Sequence, residues 1–153
     1  MTDVRQAYDV LSGILAAGLP TVPLRWQGKE EDSFGNRRLS DDPAPWIYAE
    51  YLTDPVDLVG FGGGLGRNLY RNPGRLDLYC FIPRGQGLEP ALDLAESAAK
   101  LFRSYRDADV FCQKVTVFPG GDGSSAQPPG ISSEVANYFY AVTQVDLYFD
   151  QIG

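Results

Sequence analysis

From Tyr138 to Phe149 the chain alternates without a break. Phe139, Ala141, Thr143, Val145, Leu147 and Phe149 fall on one side of an extended segment. Tyr138, Tyr140, Val142, Gln144, Asp146 and Tyr148 fall on the other. A period of two over this length is a β-strand pattern, and such a strand needs partners in a sheet and something to cover its apolar side. The first set is a core face. The second is rich in tyrosine and amphipathic, a composition favoured at protein interfaces. A solvated face, or cover by another part of the same chain, would produce the same pattern.

Two helical segments can supply the cover. Thr2 to Ala17 places Val4, Ala7, Leu11 and Ile14 on one stripe, widened by Tyr8 and Leu15. Thr2 is the expected N-cap, and Gly18 and Pro20 stop the helix. Glu89 to Tyr105 carries Leu88, Leu92, Ala95, Ala99 and Phe102 on one stripe, with Leu94, Ala98, Leu101 and Tyr105 on a second beside it. That wide arc fits a helix lying on a sheet. Pro90 suits its first turn, and Glu96 and Lys100 are spaced for an ion pair.

Further strands are expected at Thr21–Trp26, Trp46–Leu52, Val56–Val59, Arg75–Ile82 and Val110–Phe118. In the fourth, Leu76, Leu78, Cys80 and Ile82 share a face and Tyr79 and Phe81 the other. Two stretches lack apolar periodicity, Gln27 to Pro45 and Pro119 to Ser133, and read as long loops. The order of helix, strands, helix, strands predicts one α+β domain over residues 1–153. Two helices pack on one face of a mostly antiparallel or mixed sheet, the other face stays open for partners, and two long loops project.

Composition removes many functions. The 153 residues contain no histidine, which excludes the commonest general base, the commonest metal ligand and the Ser–His and Cys–His dyads. Cys80 and Cys112 are too few for a disulfide framework and too widely spaced for a zinc knuckle; buried thiols or one bridge between strands are the readings left. Asp41-Asp42, Asp107, Asp109 and Glu50 read as turn formers or solvated charges, and Ser124-Ser125 has no nucleophile elbow. The run Gly60 to Gly66 continues into a strand rather than a helix and lacks a following Gly-Lys-Ser/Thr, so it reads as a hairpin tip rather than a phosphate loop. Gly120-Gly121-Asp122-Gly123 is one imperfect copy of a calcium repeat, too little to build a cage. The expectation is a protein with no catalytic residues, no cofactor and no metal. A net charge of −7 disfavours sequence-reading DNA binding. The first ten residues carry no signal-peptide pattern and no apolar run is long enough to span a membrane, so synthesis in a cytoplasm is expected.

Against this acidic background, Gly64 to Arg84 holds Arg67, Arg71, Arg75 and Arg84 with one acid, Asp77. These arginines are candidates for a contact patch between subunits or rings, since the planar guanidinium binds carboxylates in a two-pronged fashion. Tyr138, Tyr140 and Tyr148 are the companion candidates on the tyrosine face. The bland alternative is a solvated hairpin whose arginines pair with acids elsewhere.

Several segments together resemble a known family. They are the first helix ending in Gly18-Leu19-Pro20-Thr21-Val22-Pro23 with Leu24-Arg25-Trp26, then Trp46 opening a strand, then the run from Leu69 to Gly87. The helix with Ala91, Leu94, Ala95 and Phe102 follows, and Val145-Asp146-Leu147-Tyr148-Phe149 closes the pattern. It resembles the phage tail-terminator-like family, found also in prophages and gene transfer agents. The resemblance implies a structural virion protein of the tail neck, assembled as a hexameric ring. Such a ring caps the tail tube and joins it to the head-tail connector or head-completion protein, with DNA only passing through. The rival readings are another neck or tail ring component, such as a head-completion or tube protein, and a histidine-free ligand-binding module or enzyme.

Overall fold

The computed structural model describes residues 3–37, 44–55, 57–60, 63–107, 110–119 and 138–152. Helix α1 spans Val4–Gly18, and β1 (Leu24–Trp26), β2 (Trp46–Thr53), β3 (Asp57–Gly60) and β4 (Leu69–Pro83) follow. Helix α2 (Glu89–Phe102), β5 (Phe111–Phe118) and β6 (Tyr138–Ile152) complete the order. The expected Thr2 N-cap, Asp41-Asp42, Asp109, the 120–123 run, Ser124-Ser125 and almost all of the 119–133 loop lie outside the described residues.

The sheet runs β1-β2-β4-β6-β5, with β3 also paired to β4. β1 lies parallel to β2, and every other pairing is antiparallel. The chain is therefore an α+β protein with its helices packed against a mixed sheet, as the element order implies. Its spine is the pairing of β4 with β6, continuous from Leu69↔Ile152 to Pro83↔Tyr138. On the other side of β4, β2 covers Gly74 to Phe81 and β3 covers Leu69 to Arg71. Asn72 and Pro73 thus face the break between β2 and β3. That break tolerates a proline inside a long central strand, because Pro73 has no N–H to offer a ladder there; its carbonyl accepts from Asp54 N at 2.9 Å. Read from propensity alone, Pro73-Gly74 ends a strand, which is why β4 begins six residues before the expected Arg75.

Helix α1 is capped by Asp3, not Thr2. The Asp3 carboxylate accepts from Gln6 N at 2.8 Å and the Gln6 side chain accepts from Asp3 N at 2.9 Å, a reciprocal capping box. Ala7, Leu11 and Leu15, four residues apart, are fully buried. Helix α2 buries Ala91, Ala95, Ala98, Ala99 and Phe102, so small side chains let its backbone approach the sheet. The buried Thr143 hydroxyl donates to Ala95 O at 2.8 Å and ties α2 to β6. The helix stops at Phe102 rather than Tyr105 because Arg103 is extended and Ser104 adopts φ 60, a left-handed backbone that breaks the helical ladder. With the chain turned there, Glu96 pairs with Arg103 at 3.0 Å instead of the expected Lys100.

The helix-side core joins α1 and α2 to Leu76, Leu78, Cys80, Ile82, Ala141, Val145, Leu147 and Phe149. A second cluster lies on the opposite face and contains Trp46, Tyr48, Tyr79, Phe81, Tyr138, Tyr140 and Val142. The expectation of one open sheet face fails over this half of the sheet, since Trp46 is fully buried and Tyr138 is 2% exposed within the single chain. Residues 27–37, expected as loop, are held by local bonds. The Asp32 carboxylate accepts from Phe34 N and Asn36 N at 2.8 and 3.2 Å. The Gln27 side-chain amide donates to Tyr51 O and accepts from Tyr51 N, extending β1 past its last backbone pair.

Candidate functional site

The face of the sheet away from the helices is ordered by register. Rows across the strands read Trp46, Phe81, Tyr140; then Arg25, Tyr48, Tyr79, Val142, Phe118; then Glu50, Asp77, Gln144, Thr116; then Leu52, Arg75, Asp146, Lys114. Tyr148 and Phe111 follow, and Arg71 faces Asp150 at the far end. An aromatic half thus gives way to a charged half along one face.

The aromatic half is a packed interior. Trp46 and Phe81 stack at 4.7 Å and 21°. Tyr138 meets both edge-on at 6.0 Å, and its hydroxyl accepts from Ala44 N at 3.3 Å. Tyr140 is 8% exposed and lies against Phe81 and Tyr79. Tyr138 and Tyr140 are therefore core residues of the folded subunit, which corrects their reading as a free contact face. Aromatic composition alone does not distinguish an interface from an interior, because both bury the same rings.

The charged half begins at Glu50 and Asp77, which face each other in register and are 8% and 6% exposed. Burial raises both carboxyls above their ordinary values; Asp77 raises Glu50 further and Asp146 raises Asp77, while Arg75 pulls both down and Gln144 lowers Asp77. Arg75 Nε lies 3.2 Å from Asp77 Oδ2. Among the described residues no group of three or more Asp, Glu or Cys is arranged to hold a metal ion.

Beyond this belt a layered arrangement forms that single-residue reasoning misses. Arg71 Nε and Nη2 each donate to Asp150 at 2.9 Å, and the guanidinium lies 4.2 Å from the Tyr148 ring centre. Tyr148 stacks on Phe111 at 4.8 Å and 8°, and Arg106 lies 4.9 Å from Phe111 on its far side. The order is cation, ring, ring, cation, each contact favourable through the ring quadrupole or dispersion. The hydrogen bond from Arg71 to Asp150 raises the arginine pKa. Only the β5–β6 register, broken by a bulge between Cys112 and Lys114, puts Phe111 opposite Tyr148.

The four candidate arginines do not form one patch. Arg71 and Arg75 are engaged by Asp150 and Asp77. Arg67 is exposed in the turn before β4, and Arg84 is exposed just past its other end. A strand of that length holds the two roughly 45 Å apart. Arg67 sits with a different set of neighbours. Past Asn72 and Phe149, the last buried pair of the spine, Leu58 is 51%, Ile152 48% and Leu65 103% exposed. This end of the sheet, made by β3, the start of β4, the end of β6 and the turn at 63–68, is an arm extending past the core.

No family model matches the chain, and no curated protein matches it. Several solved structures are similar; one of them matches over 98% of this chain and 94% of its own, at 15% sequence identity and a TM-score of 0.53. That likeness concerns the fold. Among the described residues no helix is long and apolar enough to cross a membrane.

Proposed function

We propose that this protein is a structural ring subunit of the tail-terminator type, which closes a phage-like tail tube and offers a docking surface to the head connector. The observation that carries the reading is the distal arm. Leu58, Leu65 and Ile152 lie exposed with Arg67 at one end of the sheet, a grouping suited to contact with another protein. The sequence resemblance supports the same reading, as does an α+β framework of the kind it implies. The tyrosine face contributes less than expected, since Tyr138 and Tyr140 are inside the subunit. The arm takes its place as the surface for the tube or connector.

The test is negative-stain microscopy of the purified protein, alone and mixed with tails that lack a terminator. Rings, or particles seated at tail ends, are the expected result. Particles that stay monomeric and never occupy a tail end overturn the proposal.

A further inference from the structure

We infer that copies of this chain join head to tail through opposite sheet edges, the pocket at Arg106 on the β5 edge of one copy receiving Glu31 from the β1 edge of the next; this rests on the ring reading above.

The two edges differ in chemistry. Beside β5, a pocket of about 420 Å³ is lined by Arg106, Phe111, Gln113 and Tyr148 among others, and Arg106 is its one charged lining residue. Arg106 is exposed. Its guanidinium rests on the Phe111 ring, and among the described residues no carboxylate forms an ion pair with it. A guanidinium flattened on an aromatic ring keeps its donor edge outward, in the geometry that grips a carboxylate with two parallel bonds.

Beside β1, a groove of about 380 Å³ opens between α1, β1 and the turn after it. Its lining includes Tyr8, Leu24 and Trp26 together with Asp9, Lys29, Glu31 and the buried Asp32. Asp9 is held by Arg5 at 3.1 Å, and Asp32 accepts from two backbone N–H groups. Glu31 is exposed and forms no ion pair among the described residues. It is the groove carboxylate left to a partner.

Topology sets how the contact repeats. β1 and β5 are the two ends of the strand order. The groove lies on the helix side with Tyr8 and Trp26, whereas Phe111 and Tyr148 lie on the opposite side. Two patches at opposite edges and on opposite faces cannot pair by a twofold axis, which would set like charge against like. They pair head to tail, and a head-to-tail contact closes into a ring when its rotation allows. The partner is therefore a second copy of this chain.

Charge reversal and re-pairing tests this. Arg106→Glu and Glu31→Arg are made singly and together in the full chain, with thermal unfolding as the check that each folds. Assembly is read by sedimentation and microscopy at low and physiological salt. The expected result is that each single reversal weakens association roughly tenfold or more and the double variant recovers most of it, with all effects shrinking as salt rises. Single variants that form rings like the parent overturn this contact while leaving the ring reading intact. Loss in both singles without recovery in the double overturns the pairing of Arg106 with Glu31. A parent protein that forms no ring, even on tails, overturns both.

Discussion

Glu50 on β2 and Asp77 on β4 stand directly opposite each other, both more than nine-tenths buried, with Arg75 as the cation that offsets them. Like charges opposed across a strand pair are destabilising, and burial adds to the cost of ionising either. This pair is therefore a built-in strain on the folded state at neutral pH.

Both carboxyls bind protons more tightly in the folded chain than their ordinary values of 4.5 for Glu50 and 3.8 for Asp77. The stability they contribute is full below those values and is lost as pH rises through the raised folded ones. Glu50→Gln removes one member of the pair. The variant should match the parent near pH 4 and be the more stable of the two at pH 7. Urea unfolding at the two pH values measures this. A variant less stable than the parent at pH 7 would show that the Glu50 charge is held by favourable contacts.

Trp46 is fully buried and stacks on Phe81, and among the described residues its indole N–H has no hydrogen-bond partner. Trp46→Ala should cost about 3–5 kcal/mol through lost burial and the cavity left behind. Trp46→Phe keeps a ring on Phe81 and deletes the unpaired donor, so it should cost far less. Equal losses in both variants on chemical denaturation would mean that the indole N–H finds a partner.

Arg67 and Arg71 separate assembly from folding. Arg67→Glu changes an exposed turn residue, so unfolding should shift by less than about 0.5 kcal/mol, while binding to tail ends is lost. Arg71→Glu sets a carboxylate against Asp150 and removes the cation over Tyr148. It should lower stability by about 1–2 kcal/mol. If Arg67→Glu caps tails as the parent does, the arm is a solvated end.

Both thiols should be unreactive in the native protein. Burial pushes Cys80 up to about 12, and burial together with Asp107 does the same for Cys112. Roughly one thiol in ten thousand is then thiolate at pH 8. Labelling with an aromatic disulfide reagent at pH 8 should be slow in the native state and complete in denaturant. Rapid labelling of the half-buried Cys112 in the native state would show that its thiol ionises more readily than this environment implies.

Periodicity made much of the fold legible. The alternation in β6, the core face Leu76-Leu78-Cys80-Ile82 of β4 and the stripes of both helices depend on local geometry, where side-chain direction follows from residue spacing. The sheet is mixed and the helices lie on one face, as the order of elements implies. Helix ends were less legible. Asp3 and Thr2 are both good caps, and only the Gln6 side chain reaching back to Asp3 N chose between them.

What the sequence by itself determined, then, is which residues alternate, which stripe together, and that histidine chemistry is absent. Tertiary structure decided everything that depends on register. It placed Glu50 opposite Asp77 and Phe111 opposite Tyr148, and it admitted Pro73 into a central strand at the gap between β2 and β3. It also turned Tyr138 and Tyr140 inward and set Arg67 and Arg84 at opposite ends of β4. The reason is physical: spacing along one strand fixes which side a residue points to, whereas its neighbours across the sheet depend on where distant strands come to rest.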